Sequence, residues 1–228
     1  MVKVANELLA VLASVVYLLM TGYEDDVPLE IFMVVKALPP FVLAHSTANV
    51  MLMIGLFLSG CSSAILEIDD RLRYESDYFF MGLGLQFMAI FCYLRYFMES
   101  KQRGEDGILL RSPLYLMLVI TLMFAVLWPC LDVLYFSYED TSTSILLLGY
   151  GCLLGGVNYN AFLTFTDTGC WEGLVGILLF TASNSCMAFD KFVNHFENAV
   201  FLCHCLYYPS IILLGRCAPN NKSDADNL

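Results

Sequence analysis

Charge is scarce in this chain wherever its apolar runs are long. Charged residues make up 14% of the 228 residues and hydrophobic ones 59%, with a mean hydropathy of +0.69. A soluble domain is about a quarter charged, and a water-borne globule of this size could not hide so much apolar surface. The shortage therefore excludes a soluble protein. Basic residues are scarcer than acids, 11 Lys+Arg against 22 Asp+Glu, for a formal net charge of −11. That balance argues against a nucleic-acid partner, because such proteins present basic surfaces. The acids gather in connections, at Glu24, Asp25, Asp26 and Glu30, at Glu67, Asp69, Asp70, Glu75 and Asp77, and at Glu139 and Asp140. There they read as solvated flanks of helices rather than as an ion site.

Paired Cys/His motifs at zinc spacing are also missing. Nine cysteines are present, but Cys61, Cys92, Cys152, Cys186, Cys203 and Cys205 lie inside apolar runs. They behave there as small hydrophobes, with no extracellular domain for disulfides to staple. Cys203-His204-Cys205 has the residue types of a metal site. Neighbours on a helix point about 100° apart, however, and no second pair completes a ligand set. No metal and no cofactor are expected. A cleavable leader is not evident either: the run Leu8 to Met20 ends in Thr21-Gly22-Tyr23 with acids beyond, and reads as an uncleaved first span.

What the chain has is hydrophobic length. A helix needs roughly 20 apolar residues to cross the hydrocarbon core. On that scale the sequence predicts about eight spans, at 4–22, 28–46, 48–67, 78–98, 113–136, 143–164, 170–191 and 198–215. The predicted fold is all-α, a polytopic membrane protein with residues 1–217 in one bundle and a disordered polar tail at 218–228. Only the segment 99–112, with Gly104-Glu105-Asp106-Gly107, is a connection of any size. Lys3, Arg95, Lys101, Arg103, Arg111, Arg216 and Lys222 fall on one side of such a bundle, and Arg71, Arg73 and Lys191 on the other. The bias puts both termini in the cytoplasm. The sequon Asn221-Lys222-Ser223 would then face a compartment without glycosylation.

Gly151 with Gly155, and Gly169 with Gly173, are four apart and suit close helix packing. Trp128, Trp171, Tyr207 and Tyr208 suit interface anchors. Pro39-Pro40 should interrupt the hydrogen-bond ladder of the second span, which is tolerable where neighbouring helices cover the gap.

Polar groups inside the spans are costly, and so they are the places to look for function. Lys36 lies three residues before the double proline. It either binds a phosphate or carboxylate near a locally opened helix or snorkels to the interface. Ser59 and Ser63 share a helix face, with Glu67 one turn further. Gly82, Gln86 and Tyr93 make a similar stripe, followed by Asn158, Tyr159 and Asn160, and by Ser183-Asn184-Ser185. Hydrogen bonds between helices explain any one stripe. Together they point to a polar-lined cavity.

The elements Lys36-Ala37-Leu38-Pro39, Leu58-Ser59-Gly60-Cys61-Ser62-Ser63-Ala64-Ile65-Leu66, Gly82-Leu83 with Tyr93, Tyr150 with Ala161, and Leu179-Phe180-Thr181-Ala182-Ser183-Asn184 followed by Lys191-Phe192 occur in that order. In order and spacing, from about residue 30 to 215, the chain resembles the lysoplasmalogenase or YhhN-like transmembrane proteins (transmembrane protein 86 in animals). The corresponding family elements are Lys-x-x-Pro, Phe-Ser-x-x-Gly-Asp-x-x-Leu, a Gly-Leu opening with a later Tyr, a Tyr and Ala pair, and Leu-Phe-x-x-Ser-Asp. The resemblance implies hydrolysis of the vinyl ether bond of lysoplasmalogens, which are ether lysophospholipids, with release of a fatty aldehyde. It also implies residence in the endoplasmic reticulum. A homodimer stays open.

The departures fall where the family's acids stand. Ser63 occupies the Asp position of Gly-Asp, Asn184 that of Ser-Asp, and Ile90 that of a His. Vinyl ether hydrolysis delivers a proton to carbon, and water captures the resulting oxocarbenium-like species. A carboxylic acid in an apolar cavity suits the first task and a second carboxylate can orient the water. Serine and asparagine hold no titrating proton near neutral pH, and losing a general acid costs about 10²–10⁴ in rate. The expectation is a divergent, lysoplasmalogenase-like protein whose activity is weak or lost. Ser63 and Asn184 stand at the substituted acid positions, and Lys36, Ser59, Gln86, Tyr93, Tyr150 and Ser183 contact substrate. Glu67 is the candidate substitute acid if catalysis survives, with Asp132 and Asp190 as weaker ones. A non-catalytic lipid-binding protein is the alternative. A receptor or transporter, hinted at by Asp69-Asp70-Arg71, lacks the repeated pair of broken helices that transporters show.

Overall fold

The computed structural model describes residues 2–23, 27–72, 76–101, 141–192 and 197–217. Among them are seven α-helices and no strand. They are α1 (Val2–Met20, ending in a 3₁₀ turn, Thr21–Tyr23), α2 (Leu29–Ser46), α3 (Val50–Leu72), α4 (Ser76–Lys101), α5 (Thr141–Thr168), α6 (Trp171–Phe192) and α7 (Ala199–Cys217). All but α5 are long and apolar enough to cross a membrane. The predicted span 113–136, Asp132, Trp128 and the polar tail lie outside the described residues. Where comparison is possible, the predicted and observed helices agree to within a few residues. α3, α4 and α5 each run past their apolar runs, since polar residues propagate a helix once a span has nucleated it.

The outward faces are apolar. Leu8, Leu19, Val34, Phe57, Met88 and Phe91 are all exposed, a surface water would not tolerate over this extent and lipid would. The chain is a multi-pass membrane protein.

The connections use ordinary turn chemistry. The Asn49 side chain accepts from the Leu52 N–H at 3.0 Å, capping α3 as a short polar side chain does well. Gly169 ends α5 at φ 72°, with its N–H donating to Phe165 O at 2.8 Å. Only glycine adopts that left-handed conformation without cost. Gly169 is therefore a helix stop and not half of a packing pair with Gly173, which is buried in α6. The double proline does not end α2: the helix continues through Pro39 and Pro40, both buried. Their missing donors stand opposite the carbonyls of Val35 and Lys36.

Contacts cluster into two units, Met1–Tyr96 with Ile211–Leu228, and Phe97–Ser210. In the first, α2 packs against both α1 and α3. Here α3 meets α4 through small residues. A Cβ at Gly55 would stand 2.5 Å from the Tyr93 ring, and one at Gly82 would stand 2.7 Å from Leu66. At the edge of this unit Arg216, near the end of α7, pairs with Glu7, near the start of α1, at 3.0 Å. The first and last helix ends therefore share one side. In the second unit α5 packs on α6.

Candidate functional site

The first unit brings together three polar side chains that the sequence scatters over α1, α2 and α3. Lys36 is 2% exposed and Glu67 4%. The Lys36 Nζ donates to Glu67 Oε2 at 2.8 Å, and the Tyr17 hydroxyl donates to the same oxygen at 2.9 Å. The ammonium also lies 5.7 Å from the centre of the Tyr17 ring, within cation–π range. Lys36 does not snorkel. It reaches across to a carboxylate on the next helix, because a charge left alone in an apolar interior costs far more than a paired one. Among the described residues Glu67 is the one buried acid and Lys36 the one buried lysine or arginine.

One turn back along α3 stands position 63. Ser63 is buried, and its hydroxyl turns onto its own helix, donating to Ser59 O at 2.8 Å, the habitual bond of a mid-helix serine. The Ser59 hydroxyl shares a hydrogen bond of 2.9 Å with Tyr93 OH. Gly55, one turn before Ser59, is what lets that tyrosine ring lie so close. Ser62 bridges α3 to α4 through Gly82 O at 2.8 Å, and Gln86 is buried on α4.

The second unit carries its own polar ladder. The Tyr150 hydroxyl donates to Asn184 Oδ1 at 2.6 Å, while Asn184 Nδ2 donates to Phe180 O at 2.7 Å. About two turns further along α5, Asn158 Nδ2 donates to Leu154 O at 2.8 Å and to Thr181 Oγ1 at 2.7 Å. Ser183 carries the ladder from α6 to α7, donating to Cys203 O at 2.8 Å. Ser63 and Asn184 are thus both neutral side chains engaged in hydrogen bonds.

Of the predicted site residues, Lys36 and Glu67 meet each other, Ser59 meets Tyr93 and, through its carbonyl, Ser63, and Tyr150 meets Asn184. Tyr17 and Thr181 were missed. Tyr17 sits inside an apolar run rather than at its end, which was a usable signal, whereas a lone threonine on a helix gives none. Tyr207 and Tyr208, expected at the interface, are buried instead. They stack with each other at 5.5 Å, with His204 at 6.2 and 5.6 Å, and Tyr207 with Phe180 at 6.2 Å. Their ring area is better spent in the core than at the surface. Trp171 is exposed at the start of α6, as an anchor should be. The His204 Nδ1 lies 2.7 Å from Val200 O, and no group of three metal-ligating side chains forms among the described residues.

No curated protein and no solved structure is significantly similar to the chain. The family comparison is positive: residues 27–216 match the model of the YhhN family, a span that takes in the described helices after the first, short of the last residue of α7, and the polar contacts described above except those made by Tyr17 and Glu7, and the chain belongs to the YhhN family.

Proposed function

We propose that this protein binds ether lysophospholipids of the lysoplasmalogen type and that its power to hydrolyse their vinyl ether is reduced or lost. The family supports the lipid class. The observation that carries the reading is the state of the two acid positions. Ser63 spends its proton on a carbonyl of its own helix, and Asn184 accepts from Tyr150 with an amide that has no acid proton. Protonating the alkenyl carbon needs a donor that can release its proton and then stabilise an oxocarbenium-like neighbour. Neither group does so.

Glu67 is the remaining candidate acid, and its surroundings weigh against it. Its carboxylate is engaged as an acceptor, by Lys36 and by Tyr17. Its role in this reading is to hold the lysine. Lys36, Ser59, Gln86 and Tyr93, and separately Tyr150 and Ser183, are the side chains proposed to meet lipid. Endoplasmic-reticulum residence goes with the family. Cytoplasmic termini are supported by the lysine and arginine bias and by the pairing of the first and last helix ends.

The test is aldehyde release from a lysoplasmalogen by the purified chain, beside a Ser63→Asp/Asn184→Asp double variant. Little or no wild-type turnover, with turnover gained in the double variant, is expected. Robust wild-type turnover overturns the reading, and its loss in Glu67→Gln would then assign the acid.

A further inference from the structure

The buried pair of the first unit lies under a helix that is itself loosely held. Of the six described helices long and apolar enough to cross a membrane, α1 is the least enclosed: 22% of its span is buried, against 33–50% in the others. Its buried stripe is Ala10, Ala13, Ser14 and Tyr17, three small residues and one ring on a single helix face. Ser14 turns its hydroxyl back onto Ala10 O at 2.7 Å, so that bond stays within α1. In lipid, apolar side chains gain little by leaving acyl chains for another helix. The hold on α1 therefore falls to a narrow packed stripe and to polar contacts at two heights.

Near its start, Glu7 pairs with Arg216 at 3.0 Å, the arginine side chain being 48% exposed, and a pair so exposed is weak. Ten residues on, about 15 Å along the helix, the Tyr17 hydroxyl reaches Glu67. The Tyr17 ring meets Phe32 of α2 edge-on at 5.9 Å and stands 5.7 Å from the Lys36 ammonium. One side chain of α1 thus covers both members of the pair. The helix then ends in the 3₁₀ turn Thr21–Tyr23, where a Cβ on Gly22 would meet nothing within 4 Å. A glycine that packing does not require suits a hinge.

We propose that α1 is a latch over the Lys36–Glu67 pair, swinging from α2 about Gly22, with the Glu7–Arg216 contact as its clasp. With the latch closed Lys36 is 2% and Glu67 4% exposed. Anything that reaches either one, a headgroup phosphate or a proton, has first to displace a helix, and α1 is the least enclosed of those touching the pair. The latch is separate from the lipid reading: it sets when the pair is reachable, whatever reaches it.

The experiment labels Glu67 of the full chain in nanodiscs with dicyclohexylcarbodiimide, a lipid-soluble reagent for the acid form of buried carboxyls. The adduct at that residue is followed by peptide mass spectrometry. Arg216→Gln leaves the pair's own contacts in place, yet should speed labelling about two- to fivefold, the range open to an exposed ion pair. Glu7→Gln should do the same, and the charge exchange Glu7→Arg/Arg216→Glu should restore the wild-type rate. Repeating the comparison in Lys36→Met separates cover from charge, and Arg216→Gln should speed labelling there too. Rates that the clasp variants leave unchanged overturn the proposal. So does a charge exchange that restores nothing, or a rise that disappears in Lys36→Met. Should Lys36→Met fail to fold, the wild-type background and the charge exchange decide. None of these results touches the lipid reading, which aldehyde release tests.

Discussion

Removing the charge from Lys36 tests the central contact of the first unit. Lys36→Met keeps the length and apolar stem of the side chain and takes away only the ammonium. It takes the ammonium away from Glu67, 4% exposed, which keeps the Tyr17 hydroxyl as a neutral donor at 2.9 Å. Stranding one member of a buried pair costs about 3–5 kcal/mol, and Glu67→Gln should cost a similar amount by stranding the lysine. Removing both charges is a different perturbation. In Lys36→Met/Glu67→Met both charges of the pair are gone, and such a pair is about neutral against apolar replacements. What remains is the Tyr17 hydroxyl, deprived of this acceptor, at about 1 kcal/mol. The double variant should therefore stand about 2–4 kcal/mol above either single one. Reversible unfolding by SDS in mixed micelles, followed by the helical circular dichroism signal, measures all three. Single variants within about 1 kcal/mol of wild type, or a double variant whose loss is the sum of the singles, would refute the reasoning. Either result would mean that water reaches the pair.

Two further outcomes follow from the packing. Gly55→Ala puts a methyl 2.5 Å from the Tyr93 ring, so the ring has to shift and give up Ser59. The expected cost is about 1–3 kcal/mol, and Gly55→Ala/Tyr93→Leu should recover packing without recovering the hydrogen bond, both read by the same unfolding assay. Tyr150→Phe removes the 2.6 Å bond to Asn184 at about 1 kcal/mol. In a double-mutant cycle with Asn184→Leu the two losses should couple by a similar amount, and strict additivity would show that the bond contributes nothing.

Helix positions were legible because hydrophobic length alone dictates them in a bilayer. The placement of α2 from residue 29 to 46 and of α6 from 171 to 192 needed only the apolar runs and their polar ends. Partners across helices were not legible. That Ser59, Ser63 and Glu67 share a face follows from their spacing, but spacing does not say which helix that face meets or how each is rotated about its axis. Lys36 and Glu67 are 31 positions apart, and nothing local joins them. The same rotation decides Tyr207 and Tyr208. Their position near a span's end favoured the interface, while the ring contacts they make with His204 on α7 and, for Tyr207, with Phe180 on α6 put them in the core. Asn158 stood in the sequence as one of three consecutive polar residues. Only the coordinates separate Asn158, whose Oδ1 is buried without a hydrogen-bond partner among the described residues, from Asn160, whose amide folds back onto Gly156 O at 2.8 Å.

An anion arriving at Lys36 finds the seat taken. The resident counter-ion at 2.8 Å turns headgroup capture into ligand exchange, in which a phosphodiester gains only the difference between two similar contacts while the displaced carboxylate must itself be neutralised. Headgroup charge would then add little to affinity, and the long alkenyl tail would supply most of it through the apolar area it removes from water. A lysolipid binder of the kind proposed would then sort lipids by backbone and tail far more sharply than by the ionic character of their headgroups.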